Sequence, residues 1–230
     1  MASGSQTPPG EPFPIPSPAG ALEGFLDRPA NGAPPRALAV VCHPHPLYGG
    51  SAANKVVVSI ARELSSALAF TCLRFNFRGV GKSPGAFDGG RGEGEDAAAA
   101  VTALAATAGA RLPILLAGFS FGAWVAMRVG LADRRVAALL GAGIPVRTLD
   151  FSFLAGARKS VVVLQGDGDE FGPCSEVESL ARGWPETVRV ECVPGAVHFF
   201  HGRLNELRAA ARRAVLGPLA VALAGAEGGK

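Results

Sequence analysis

The chain has 230 residues, 48% hydrophobic and 18% charged, enough for one domain with a well-buried core and too few for two. Its 22 Lys plus Arg against 19 Asp plus Glu leave a net charge of +3 with the basic residues scattered, which excludes the basic face of a nucleic-acid binder and points to a small-molecule partner. No unbroken apolar run is long enough to span a membrane and the N-terminus lacks the basic-then-apolar pattern of a signal peptide, so a cytoplasmic chain is expected.

Residues 1–18 carry Pro8, Pro9, Pro12, Pro14, Pro16 and Pro18, a density that removes backbone donors and fixes φ. They are expected to form a flexible arm without regular structure, ahead of a single domain over residues 19–225. From Leu22 onward short apolar runs alternate with helical patterns: a strand over Arg36 to Cys42, a helix over Asn54 to Ala69, a strand over Phe70 to Phe77 and an alanine-rich helix over about Gly94 to Ala108. The order continues with a strand at Pro113 to Gly118, a helix at Phe121 to Leu131, strands at Val136 to Ala142, Val161 to Gly166 and Val188 to Val193, and a last helix at Leu204 to Leu223. Strands apolar at nearly every position are those of a parallel sheet covered on both faces, so the predicted class is α/β with a doubly wound, mostly parallel sheet. Cys42, Cys72, Cys174 and Cys192 have no Cys-x-x-Cys spacing, and the first, second and fourth fall in buried runs. All four are expected to be reduced core thiols in a reducing compartment.

In such a sheet active groups gather on the loops that follow the strands. One of these loops reads Gly118-Phe119-Ser120-Phe121-Gly122, a G-x-S-x-G run between a strand and a helix. Small residues two before and two after the serine let the chain turn tightly and lift the hydroxyl above the sheet, while the helix N-terminus and the Phe121 N–H favour an oxyanion nearby. A serine hydroxyl needs a base, and the histidines are His43, His45, His198 and His201. The chain order Ser, acid, His selects His198 on the last loop, with His201 falling instead where the final helix begins. The acid belongs on Gln165-Gly166-Asp167-Gly168-Asp169-Glu170, where spacing alone does not choose among Asp167, Asp169 and Glu170.

Three other motifs read as structural. The loop after Asp167 approximates a calcium pattern but has Phe171 at a ligand position; Arg78 to Ser83 lacks the first glycine of a phosphate loop; and Glu93, Glu95 and Asp96 open a helix, where they would cap it. No metal or cofactor is expected.

Together with Ser120 and His198, the segments His43-Pro44-His45-Pro46-Leu47-Tyr48-Gly49-Gly50, Asn54-Lys55-Val56-Val57, Arg74 to Ser83 and His198-Phe199-Phe200 resemble the α/β-hydrolase superfamily. Within it they are similar to the small bacterial His-Pro-His-Pro hydrolases related in form to dienelactone hydrolases, over roughly residues 20 to 215. The resemblance implies the α/β-hydrolase fold, Asp169 as the acid with Asp167 shaping the turn, and the His45 N–H as the second oxyanion donor beside Phe121. It also puts the His43 to Gly50 segment at the substrate, with His43, Tyr48 and Gly49 as contact candidates. For the His43 and His45 rings, packing beneath the glycine loop is an equal reading.

The stretch from residue 143 to 159 is too short for a lid domain, leaving Phe151, Phe153 and Leu154 as a modest apolar wall. The expected activity is hydrolysis of carboxylic esters or thioesters of small to medium acyl groups through an acyl-enzyme on Ser120. Acyl transfer or lyase-type chemistry on the same residues, and a non-catalytic ligand-binding protein on a hydrolase scaffold, are the alternatives.

Overall fold

In the computed structural model, which describes residues 10–108 and 112–224, the N-terminal segment is not an unstructured arm from residue 10 onward. Glu11–Pro12 (β1) pairs antiparallel with Gly24–Asp27 (β4), and between them Ile15–Ser17 (β2) and Gly20–Leu22 (β3) form a hairpin. Two physical reasons overturn the sequence expectation. Pro12 lies on the outermost strand, where a missing N–H breaks no internal ladder. Ile15 and Leu22 are fully buried against Leu26 and Leu73, each contributing on the order of 2 kcal/mol of apolar burial to offset the ordering of the segment. Residues 1–9 of the expected arm, and residue 225 at the expected domain end, lie outside the described residues.

The rest of the sheet is parallel, built from Ala37–Cys42 (β5), Phe70–Phe75 (β6), Ile114–Phe119 (β7), Val136–Ala142 (β8), Ser160–Gly166 (β9) and Val188–Val193 (β10). The strand order is β1-β4-β6-β5-β7-β8-β9-β10, with β4 antiparallel to β6. Alternation along each strand divides the core. Ala39, Val41, Leu115 and Ala117 face the helices Lys55–Arg62 (α1) and Leu204–Leu216 (α5). On the opposite face Leu38, Val40, Leu116 and Val163 meet Arg91–Ala105 (α2), Phe121–Ala132 (α3) and Cys174–Ala181 (α4). The doubly wound sheet expected from the apolar runs is therefore present, with antiparallel strands added at one edge.

Boundaries shift where local chemistry intervenes. Asn54 caps α1 through Oδ1, which accepts the Val56 N–H, but the helix widens to a π turn at Glu63–Ala67 and ends at Ala69, whose φ is 57°. The last helix breaks at Gly217-Pro218, leaving Ala220–Ala224 as a separate turn (α6). Glu93 does cap α2, accepting the Asp88 and Gly90 N–H groups, whereas Glu95 and Asp96 bind Arg78.

The cysteine expectation holds for Cys42 and Cys72, both free and buried, and fails for the other two. Cys174 and Cys192 form a disulfide. Cys174 opens α4, its Cα 5.7 Å from that of Cys192 on β10, a separation that a disulfide spans. Among the described residues no helix is long and apolar enough to cross a membrane.

Because β6 and β7 lie on opposite sides of β5, the chain reverses its direction of winding there, and the loops after β5 and β7 open a crevice at the carboxyl ends of the strands.

Candidate active site

Ser120 sits at the crest of that crevice in a conformation that few non-glycine residues adopt, with φ 55° and ψ −123°. The turn works only because both flanking glycines lack a Cβ. One added at Gly118 would meet the Gly122 carbonyl, and one added at Gly122 would meet the carbonyls of His43 and Cys42. The Ser120 N–H donates to Ala142 O at 2.9 Å, which ties the elbow to β8.

Around this serine the structure brings together His198 and Asp169. His198 Nε2 lies 3.0 Å from Ser120 Oγ, and His198 Nδ1 lies 2.9 Å from Asp169 Oδ2 and 3.0 Å from Oδ1. A carboxylate only accepts, so Nδ1 carries the proton and Nε2 presents its lone pair to the serine hydroxyl. All three side chains are buried. The imidazole is enclosed by Phe119, Phe171 and Phe199, whose ring centroids lie 5.1, 4.6 and 5.1 Å from its own.

Of the acids that sequence left open, Asp167 is exposed and faces away, and Glu170 Oε2 reaches only the His198 backbone N–H, at 3.4 Å. Asp169 is the carboxylate in contact with the ring. It also accepts the Phe171 N–H on Oδ1 and the Gln165 Nε2–H on Oδ2, each at 2.9 Å. His201 is exposed and stacks on Phe199, away from the serine.

The Phe121 N–H, at the first residue of α3, and the His45 N–H have no acceptor among the described residues. The His45 ring packs on Phe121, Phe87 and Tyr48, with centroids 5.0, 4.7 and 4.6 Å away. Burial lowers the pKa of His45, with Glu93 pulling in the opposite direction.

For His43 the structure shows the packed arrangement, the other of the two readings given for its ring. It is fully buried, its Nδ1–H donates to Pro44 O at 2.6 Å, and its Nε2 accepts the Phe77 N–H at 3.0 Å. Burial lowers its pKa to about 4, with the Pro44 hydrogen bond opposing. Its ring turns into the core against Phe77, 4.7 Å away between centroids, and staples the β5 loop to the β6 loop. Tyr48 stands exposed over His45, at the mouth of the crevice. Gly49 is exposed with open space around its Cα, whereas Gly50, which sequence reasoning passed over, packs beneath the Pro44-His45 peptide and donates its N–H to His45 O. The expected apolar wall is reduced to Phe153, because Phe151 and Leu154 are buried in the core. Gln165 was also missed; a polar residue at a core-facing strand position was the signal available.

Chemically, the arrangement joins a hydroxyl, a base with its lone pair directed at that hydroxyl, a carboxylate behind the base, and the Phe121 backbone donor next to the serine in the chain.

Known proteins share the sequence pattern and the fold. A family model described as an alpha/beta hydrolase domain matches residues 48–213. An uncharacterized protein of Rickettsia prowazekii is 38% identical over 198 residues, 82% of this chain and 82% of that one. Among solved structures, an alpha-beta serine hydrolase homologue from Coxiella burnetii is 40% identical with a TM-score of 0.82, over 91% of this chain and 99% of its own. A lidless alpha/beta serine hydrolase from Xanthomonas campestris is 34% identical with a TM-score of 0.82, over 92% and 95%.

Proposed function

This chain belongs to the alpha/beta hydrolase family, and from that premise we propose that it is a serine hydrolase cleaving carboxylic esters or thioesters of small to medium acyl groups. The single observation that carries the reading is the continuous hydrogen-bonded line from Ser120 Oγ through His198 to Asp169 at the start of α3.

In this mechanism His198 Nε2 takes the Ser120 proton as Oγ attacks the substrate carbonyl. Asp169 holds the imidazole in its Nδ1–H form and stabilises the imidazolium. The Phe121 and His45 N–H groups donate to the developing oxyanion, a contribution of about 3 kcal/mol per donor in comparable sites. His198 then protonates the leaving alcohol or thiol. Water, deprotonated by the same histidine, releases the acyl group from Ser120. The short connection between β8 and β9, whose only regular element is a 3-10 turn at Ser152–Gly156, supports an open cleft and substrates of modest size. The Cys174–Cys192 disulfide counts against the reducing compartment expected from the cysteine pattern.

The test is intact-mass spectrometry after treatment with a fluorophosphonate, run on the wild type and on Ser120→Ala. One adduct on the wild type and none on the variant is the expected result. A wild type that stays unlabelled would favour a ligand-binding protein on a hydrolase scaffold.

A further inference from the structure

Gln165 occupies a position where the pattern of β9 calls for an aliphatic residue. Val161 and Val163 face the core on the α3 and α4 side, and Gln165 follows them in the alternation, fully buried. A buried amide is costly unless its donors and acceptor are used, and here they are. Oε1 accepts the Ile144 N–H at 2.8 Å, while Nε2 donates to Gly172 O at 2.7 Å and to Asp169 Oδ2 at 2.9 Å. The orientation of the amide is forced. Ile144 N can only donate and Gly172 O can only accept, so the NH2 end must face Gly172 and, with it, Asp169.

On the serine-hydrolase reading, we infer that Gln165 is the positioning residue for the acid, setting the plane of the Asp169 carboxylate and thereby the direction of His198. Two donors fix that carboxylate apart from the histidine: the Phe171 N–H on Oδ1 and Gln165 on Oδ2. Gln165 thus stops the rotation that would carry Oδ2 away from Nδ1. A neutral amide does this without adding a positive charge, which at this distance would oppose the imidazolium that Asp169 is there to stabilise. The same side chain joins the loop after β8, at Ile144, to the turn before α4, at Gly172. The elements around the acid are therefore tied at one point.

The test uses four full-length proteins: wild type, Ser120→Ala, Gln165→Met and Gln165→Glu. Hydrolysis of p-nitrophenyl acetate is followed across pH, with fluorophosphonate labelling rates and thermal melts in parallel. Gln165→Met keeps the shape and loses both donors; its kcat is expected to fall about 10- to 100-fold with KM within about twofold. Gln165→Glu can donate to Asp169 only while its carboxyl is protonated. Its activity is therefore expected to survive on the acid side and to fall through a new alkaline ionisation absent from the wild type. A folded Gln165→Met with wild-type kcat overturns the inference. So does a Gln165→Glu whose pH profile matches the wild type, and that profile decides alone if the methionine variant does not fold. An unlabelled, inactive wild type would instead sink the serine-hydrolase reading and this inference with it, so the two failures are distinguishable.

Discussion

Replacing Asp169 by asparagine tests the acid with a consequence that can be worked from its contacts. Every group around the carboxylate is a donor: His198 Nδ1 to both oxygens, the Phe171 N–H to Oδ1 and Gln165 Nε2 to Oδ2. Asparagine must put an NH2 at one of these oxygen positions. At Oδ1 it meets a backbone N–H that cannot turn away, and at Oδ2 it meets the Gln165 amide, locked by Ile144 and Gly172. The group that can adapt is the imidazole, which accepts from the new NH2 by shifting its proton to Nε2. The proton then lies between His198 and Ser120, and the lone pair that should accept the serine proton is lost. For the same substitution in serine proteases the loss in kcat is about 10⁴-fold, or about 5.5 kcal/mol of activation free energy, and the identical tautomer argument sets the expectation here. Asp167→Asn, at an exposed carboxylate away from the ring, is expected to change kcat less than about twofold. Steady-state ester hydrolysis and fluorophosphonate labelling read both. An Asp169→Asn enzyme keeping more than about a tenth of wild-type kcat, or an Asp167→Asn enzyme losing 10²-fold, would refute the assignment.

Two further outcomes concern stability. His43 titrates near 6.5 when unfolded and near 4 when folded, so the unfolded state binds the extra proton between those values. Its contribution is complete above pH 6.5 and is lost as pH falls toward 4. Denaturant unfolding should show a loss of about 2 kcal/mol between pH 7 and pH 5 that is absent in His43→Gln; equal slopes in the two proteins would contradict the buried neutral ring. The Cys174–Cys192 bridge closes a loop of sequence separation 18, for which chain entropy gives about 3 kcal/mol. Thermal melts with and without dithiothreitol should differ by roughly 6–12 °C, and the difference should vanish in Cys174→Ser; an unchanged wild-type melt would show the thiols unpaired.

The parts of the molecule that could be read from sequence are those whose causes are local. The parallel strands announce themselves by apolar runs, and the Ser120 turn by glycines that nothing larger can replace. The acid could be narrowed to one loop but not to one residue, since only the folded loop turns Asp169 inward and Asp167 outward. What escaped depends on distant partners. β1 and β4 are short, β4 being held by pairing with β6 and β1 by pairing with β4, and Pro12 sits on the strand where the sheet ends. The Cys174–Cys192 pair joins a helix start to a strand, with no spacing motif to betray it. His43 and Gly49 were assigned from their place in a segment; the fold buries the His43 ring, holds Gly49 at a φ of 76° and packs Gly50 against the Pro44 carbonyl.

The short stretch between β8 and β9 sets how such an enzyme can discriminate. With no element there to fold down over Ser120, encounter and release need no gating motion, so turnover should follow the chemistry and be insensitive to solvent viscosity. On the proposed reading, selectivity among acyl donors rests on the exposed rings of Tyr48, Phe171 and Phe199, and an apolar surface resolves one methylene by only about 10- to 200-fold. On that reading the shape makes the catalyst a generalist.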